Sequence, residues 1–298
     1  MSSGAIGEQV SDGWQSTLEL NAAFDRRWVE AAIGSLLATG RVASVVDVGC
    51  GAGGATCSFA GLLREAPRDV ALPMVVGVDR DVRLVALAGR RAAELGVADL
   101  VDWVCAGVDD LPVRAGAVDL VWASGVVHHI ADQQSGVDRL VELVRPGGRL
   151  ALVEGGLPLR CLPHDIGIGR PGLEARLDEA RARWFEDLRA ELVGPPLPYG
   201  WPAVLGRAGL VDLHSRSYIA EAAAPLDEVG RRIAEQHLTS ARDELGDRLD
   251  PDDRATVRRL LDPSEPLSIH RRDDLMVTAV RTLHTGTRPL SPGHPGLP

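Results

Sequence analysis

Apolar and polar positions change rhythm repeatedly along this chain, and the changes mark its elements. Between residues 14 and 37, Trp14, Leu18, Phe24, Trp28, Ala31 and Leu36 recur near every 3.6 residues, which predicts an amphipathic helix. Short β-branched runs then alternate with helical stretches. Residues 43–48, 74–79, 100–105, 118–124 and 149–154 read as strands, and 54–66, 81–95 and 132–144 as helices. The last of these helices ends at Arg145, Pro146, Gly147 and Gly148, a turn signal. Near-continuous apolar strands separated by helices predict an α/β fold with a parallel sheet covered on both faces. Right-handed crossovers then make it doubly wound. Ligands of such sheets sit beyond the carboxyl ends of the strands, so the loops after 48, 79, 106, 124 and 154 are where chemistry is expected.

The rhythm breaks at 157. Residues 157–172 read as a Gly/Pro-rich loop, 173–193 as a charged amphipathic helix, and 226–262 as one charge-rich helical stretch. A helix at 201–208 and a strand at 211–219 resume the αβ pattern, and 275–283 alternate like a final strand. The expected organisation is a helical lid segment (1–40), an α/β core (41–156), a helical insertion (157–200) and a core continuation (201–220). A second insertion (221–271), a last core strand (272–284) and a disordered tail (285–298) complete it.

Composition narrows the function. The chain has 298 residues, and 45% hydrophobic with 25% charged residues is a globular balance. A net charge of −10 lacks the footprint of a nucleic-acid binder. Every basic residue is Arg, which removes Schiff-base and phosphate-binding lysines from the mechanisms available. Cys50, Cys57, Cys105 and Cys161 form no Cys-x-x-Cys pair and have no His at zinc-ligand spacing. They are expected to be reduced thiols of a cytoplasmic protein, with no metal. No signal-peptide pattern and no run of 18 apolar residues occurs, so no membrane partner is expected.

The strongest motif is the run from Val45 to Gly54, in which Gly49, Gly51 and Gly53 follow a strand and open a helix. Glycines suit a tight turn that a ligand must approach closely. Gly49, Gly51 and Gly54 also satisfy the dinucleotide fingerprint, but Asp47 discriminates: a carboxylate pointing into the pocket would repel a pyrophosphate and suit a cation.

With this run the chain resembles the class I S-adenosylmethionine-dependent methyltransferases, over about 40–156 and more loosely to 220. Residues 47–53 look like their first motif and Gly77, Val78, Asp79 and Arg80 like their second. Residues 108–112 resemble the adenine-side motif, and 119–130 with 143–154 match two further blocks. The resemblance implies a Rossmann-like sheet of seven mostly parallel strands with helical lid insertions. It implies S-adenosylmethionine as cofactor, with S-adenosylhomocysteine as product. Asp47, Gly49, Gly51, Gly53, Asp79, Arg80, Val108, Asp109 and Ser124 are the expected cofactor-binding residues. Asp79 would take the ribose hydroxyls, and Asp109 with the Val108 backbone would replace the family's usual base-binding acid, whose place holds Gly107. Asp119, which opens the fourth strand, reads as structural.

His128 and His129 follow the fourth strand, where a methyl acceptor is expected, and Glu154 ends the fifth. Methyl transfer to an alcohol needs alignment and a base, and His is the commonest base. These three residues are the expected catalytic group. The alternative is that the two histidines only shape the pocket, as in relatives that methylate carbon or nitrogen. Trp14, Trp28, Trp184, Tyr199 and Trp201 either line an apolar acceptor pocket or form the lid's own core. The expected activity is methylation of a small-molecule acceptor, a hydroxyl of a specialised metabolite such as an antibiotic, with homodimerisation left open. The alternatives are N- or C-methylation, an NAD(P)-dependent oxidoreductase, or a non-catalytic S-adenosylmethionine binder.

Overall fold

The computed structural model describes residues 12–65, 74–192 and 194–290. Seven strands form one sheet in the order β3-β2-β1-β4-β5-β7-β6. They are β1 (Ser44–Val48), β2 (Met74–Asp79), β3 (Val101–Cys105), β4 (Val118–Ser124), β5 (Val144–Arg160), β6 (Val211–Ala222) and β7 (Val277–Thr287). The first five run parallel, and β7 is antiparallel to both β5 and β6. The expected doubly wound, mostly parallel α/β architecture is therefore present. Between β3-β2-β1 and β4-β5 the winding reverses, and that switch opens a crevice at the strand ends.

The strands alternate between two apolar layers because successive side chains point to opposite faces. Val45, Leu120, Trp122, Ala151 and Val153 enter one layer. Val46, Val48, Val121, Ala123, Leu150 and Leu152 enter the other. The first layer is closed by α1 (Asp12–Ala38), α2 (Gly54–Glu65), α5 (Leu173–Ala190), α7 (Glu228–Glu244) and α8 (Pro251–Leu261). The second is closed by α4 (Gln133–Leu143) and α6 (Trp201–Arg207). Helix α3 (Val82–Glu94) follows β2, capped by the Asp81 side chain, which accepts from the Arg83 amide.

Helix α1 packs more deeply than a detachable lid would. Leu20, Phe24, Trp28, Ala32, Ile33 and Leu36 are all buried. The Trp28 ring stacks on Trp122 at 6.5 Å between centroids and lies 6.2 Å from Tyr218. Of the aromatics expected in the lid, Trp28 thus belongs to the core. Trp184 is half-buried against the same layer, while Tyr199 and Trp201 pack on the opposite one. The Trp14 side chain lies outside the described residues.

Four boundaries differ from expectation. The tail expected from 285 is strand as far as Thr287, because β7 pairs there with both Arg149 of β5 and Val211 of β6. Residues 291–298 of that tail lie outside the described residues. The loop expected from 157 begins as strand, since β5 continues to Arg160 with Leu157 opposite Val280. Arg145 to Gly148 belong to β5 as well: the Gly147 amide donates to Arg288 and the Arg288 amide donates to Gly148, so β7's extension holds the turn residues in the sheet. The stretch 226–262 is two helices, α7 and α8, because Asp250 caps a new start at Pro251 by accepting from the Asp252 and Asp253 amides.

Asp119 is structural, as its place suggests. Its carboxylate accepts from the Ala43 amide at 2.7 Å and from the Ser44 amide at 2.8 Å, clasping the start of β1 to β4. Burial opposes its charge, but Arg145 and these amides outweigh that and hold the carboxyl below its usual range.

Phe59 on α2 is fully buried and meets Trp122 edge-on at 5.6 Å between centroids. Phe59→Ala is expected to destabilise the protein by about 3–5 kcal/mol, the usual cost of emptying an aromatic core site. Urea denaturation measures it, and a loss below about 1 kcal/mol would show that the layer collapses around the gap.

Candidate active site

The site draws on all five parallel strands: the loops after β1 to β4 and Glu154, which lies within β5. After β1 the chain turns through Gly49, Gly51 and Gly53, whose φ values are +71°, +52° and +75°. The Gly49 and Cys50 amides donate to the Val78 carbonyl at 2.8 and 2.9 Å, which folds the loop back onto β2. The three glycines do different work. A Cβ at Gly49 would lie 2.3 Å from a Val126 methyl, and one at Gly53 2.8 Å from Ala88. Those two are demanded by internal packing. At Gly51 a Cβ would meet nothing nearer than Leu18 at 3.9 Å, so this glycine leaves room for something to lie against the backbone. Leu18 belongs to α1, which therefore covers the loop mouth.

Asp79, the last residue of β2, is tied to this loop. One carboxylate oxygen accepts from the Gly51 amide at 2.9 Å and the other from the Asp81 amide at 2.9 Å. An ionised carboxylate offers about four acceptor directions, so two backbone donors fix its orientation and leave acceptor capacity for a diol. Asp47 behaves differently from the expectation that it faces the pocket. It is 2% exposed and accepts from the Thr56 hydroxyl at 2.5 Å, because α2 begins directly above the end of β1. Burial pushes its carboxyl up to about 7; the Thr56 bond opposes this and the nearby Asp79 charge adds to it. Thr56 carried no sequence signal beyond its place on a helix.

Of the other expected cofactor residues, Arg80 is exposed at the end of β2. Val108 and Asp109 lie in a single 3₁₀ turn after β3, where Arg139 donates to the Asp109 carbonyl. Ser124 ends β4 and is half-buried.

The three expected catalytic residues come together. Glu154 is 5% exposed. One of its oxygens accepts from the Val126 amide at 3.0 Å and the Val127 amide at 2.8 Å; the other meets His128 Nδ1 at 2.8 Å. His128 and His129 belong to a 3₁₀ turn, Val127–His129, and their rings lie 4.0 Å apart. His129 is exposed by surface area, yet desolvation of its ring, then the His128 ring, push it down to about 4; Glu154 opposes this. Arg80 and Arg189 also act on it, so the ends of β2 and β4 and helix α5 converge here.

Sequence reasoning missed three supports. Arg189 of α5 donates to the His128 carbonyl at 2.9 Å and the Ile130 carbonyl at 2.8 Å. Phe185, one turn earlier on α5, lies 5.9 Å from the His128 ring. His284 of β7 contacts the Glu154 carbonyl through Nε2 at 3.2 Å and the Ser215 hydroxyl through Nδ1 at 2.7 Å. All three are distant in sequence, and only the tertiary fold brings them in. His164, in the loop after β5, is exposed beside Gly172 and away from this group.

A family model described as a methyltransferase domain matches residues 46–152, from β1 into β5. The stretch that carries the glycine loop, Asp79 and the histidine turn is therefore a methyltransferase domain, and the resemblance to the S-adenosylmethionine-dependent methyltransferases holds there. The chain is similar to 27-O-demethylrifamycin SV methyltransferase of Amycolatopsis mediterranei, 33% identical over 108 residues, 36% of this chain and 37% of that one. It is similar to the ubiquinone biosynthesis O-methyltransferase of Nitrobacter winogradskyi, 34% identical over 107 residues, 36% of each chain. The matched stretch thus spans little more than a third of either relative. Among solved structures, the YcgJ protein of Bacillus subtilis shares the fold with a TM-score of 0.50 at 18% identity, covering 88% of this chain and 99% of that one. Haemonchus contortus phosphoethanolamine N-methyltransferase 2 does so with a TM-score of 0.50 at 13% identity, covering 97% and 61%.

The histidine turn generates a titration. With His129 near 4 against an ordinary 6.5, the unfolded chain takes up the proton first. This ring's contribution to stability is therefore complete above pH 6.5 and is lost as the pH falls towards 4. Proton NMR of the ring, assigned by the His129→Gln spectrum, should give a midpoint near 4; a midpoint at 6.5 or above would contradict the packing described.

Proposed function

We propose that this protein is an S-adenosylmethionine-dependent methyltransferase acting on a hydroxyl of a small molecule, with His128 as the base. The observation that carries this reading is the pairing of His128 Nδ1 with a buried Glu154 at the strand ends, beside the glycine loop and Asp79. Both similar curated proteins named above are, by name, methyltransferases, and the ubiquinone protein's name specifies oxygen. The Haemonchus protein was solved with S-adenosylhomocysteine. A specialised metabolite is the acceptor class that the rifamycin relative's name suggests.

The residues present fit the cofactor. Gly51 supplies open backbone, and Asp79 is an oriented acceptor pair for ribose hydroxyls. Val108, Asp109, Arg80 and Ser124 are the remaining candidates to hold it, on the loops after β3, β2 and β4. Asp47 is buried beneath the loop with its carboxyl pushed up to about 7, so it carries its negative charge there only in part near neutral pH. S-adenosylmethionine, when bound, supplies an electrophilic methyl on a sulfonium with a neutral leaving group.

The chain's own residues then have two tasks, alignment and removal of one proton. Glu154 accepting from Nδ1–H selects the tautomer in which His128 Nε2 carries a lone pair. That atom takes the acceptor's hydroxyl proton as the oxygen attacks, and the Glu154 carboxylate stabilises the resulting imidazolium. His129 stays neutral through the physiological range and shapes the same wall. Arg189 and Phe185 hold the turn in place from α5. A neutral amine or an already ionised phenol needs no such base during attack, so the histidine variants separate those acceptors from a hydroxyl.

Two outcomes are expected. Asp79→Ala should weaken S-adenosylmethionine binding by about 1.5–3 kcal/mol, the worth of hydrogen bonds to a charged group. Unchanged affinity by calorimetry would move the ribose elsewhere. His128→Ala should lower kcat on a hydroxyl acceptor by about 10²–10⁴-fold while cofactor affinity stays constant. Full activity in that variant would remove His128 as the base and favour an acceptor that needs none.

A further inference from the structure

Among the described residues, one trio of potential metal ligands converges away from the strand-end site. Cys161 lies just beyond β5, Glu174 in the first turn of α5 and His237 in the middle of α7. The Cys161 sulfur, a Glu174 oxygen and a His237 nitrogen all lie within 4.8 Å of one another. The three residues are 3%, 7% and 8% exposed. No spacing rule reveals them, since they are separated by 13 and 63 positions.

We propose that Cys161, Glu174 and His237 bind a divalent transition metal of the zinc type, which clamps the exit of β5 to helices α5 and α7. The thiolate, carboxylate and imidazole set is one that tetrahedral zinc accepts. The independent sign is His237. Its Nε2 is buried without a hydrogen-bond partner, and Glu174 Oε1 stands 3.8 Å away, too far for a hydrogen bond. A buried ring nitrogen left unpaired is costly, and a cation between these atoms would satisfy it. Tetrahedral arms of about 2.0–2.1 Å put neighbouring N and O ligand atoms about 3.3 Å apart, so the observed gap needs only a small contraction.

The surroundings allow a fourth ligand. A cavity of about 200 Å³ reaches His237 and is lined also by Asn21, Arg181, Gln236 and Ser240, which is room for a bound water. Two arginines are the opposing influence. Arg160 is engaged by Asp178 and lies 3.8 Å from Glu174, and Arg181 faces the cavity. The thiolate and carboxylate together balance a divalent cation, so binding leaves the local charge set by these two residues. Glu174 meanwhile accepts from the Cys161 amide at 2.6 Å and the Leu162 amide at 3.2 Å, which preorganises the oxygen and the sulfur-bearing segment. On binding, the Cys161 S–H proton is released to buffer as the sulfur–metal bond forms.

The test is a titration of chelator-treated, metal-free full-length protein with Co(II), followed by Zn(II). One equivalent of Co(II) should give a thiolate-to-cobalt charge-transfer band with tetrahedral visible absorption. Zn(II) should bleach both and raise the melting temperature. Cys161→Ser should lose the charge-transfer band, and His237→Gln should weaken Co(II) binding at least tenfold, each checked for native circular dichroism. If either variant misfolds, a chain carrying Cys50→Ala, Cys57→Ala and Cys105→Ser isolates the Cys161 thiol and should keep the band. Absence of the band in wild-type protein at excess Co(II), its persistence in Cys161→Ser, or unchanged affinity in His237→Gln would overturn the proposal. None of these readouts depends on methyl transfer.

Discussion

The strand-end site depends on one buried carboxylate. Glu154 is 5% exposed and is met by the Val126 and Val127 amides and by His128. Burying a carboxylate is unfavourable unless its lone pairs are used, and charge-assisted bonds offset the loss of water. The same geometry sets the turn after β4, because the two amides belong to the residues that open it. If the carboxylate is withdrawn, two backbone amide donors, one of them buried, are orphaned and the ring of His128 loses its fixed tautomer. A structural requirement and a chemical one are thus met by a single side chain. Behind it, His284 and Ser215 hold the Glu154 backbone, so the antiparallel pair β6–β7 supports a site made by parallel strands.

The acids near the glycine loop show how environment separates roles. Asp79 ends its strand with both oxygens held by backbone amides, one of them from the loop itself. Asp47 lies one strand over, beneath the loop, with burial pushing it up to about 7. The two are close enough to repel, so placing a cation in the cleft would draw Asp47 towards its ionised form. Loop conformation and cleft charge are therefore coupled through residues on adjacent strands.

Much of this was legible from the residues. Alternating apolar runs located the strands, since a sheet buried on both faces leaves them few polar positions. The glycine loop, Asp79 and the paired histidines were legible because a tight turn and a strand-end acceptor demand those residue types. The dependence of His128 on Glu154 was legible only as an option, because it needs β4 and β5 to be neighbours. Asp47 was misread in orientation: strand alternation places it under α2, where Thr56 claims it. The insertions were least legible. Trp28 looks like a lid aromatic from its sequence position, yet stacking on Trp122 makes it core, and no local pattern announces a partner 94 positions away. Arg189 sits in a stretch that reads as a charged amphipathic helix, and its carbonyl partners lie about sixty positions upstream.

The Arg189 contact joins an insertion to the histidine turn. The family match ends at residue 152, before α5 begins, so the helix that carries Arg189 and Phe185 lies outside the shared domain. It nevertheless grips the carbonyls of the histidine turn and faces the His128 ring. A side chain on an insertion therefore acts on the orientation of the candidate base. Sequence change in α5 that reshapes the acceptor wall would also shift the turn unless Arg189 keeps its bonds, because guanidinium contacts to two carbonyls define a narrow set of positions. The insertion can vary most freely on the side away from residues 185 and 189. The packing of α5 and the position of the histidine turn are thus mechanically linked where the helix meets the matched domain.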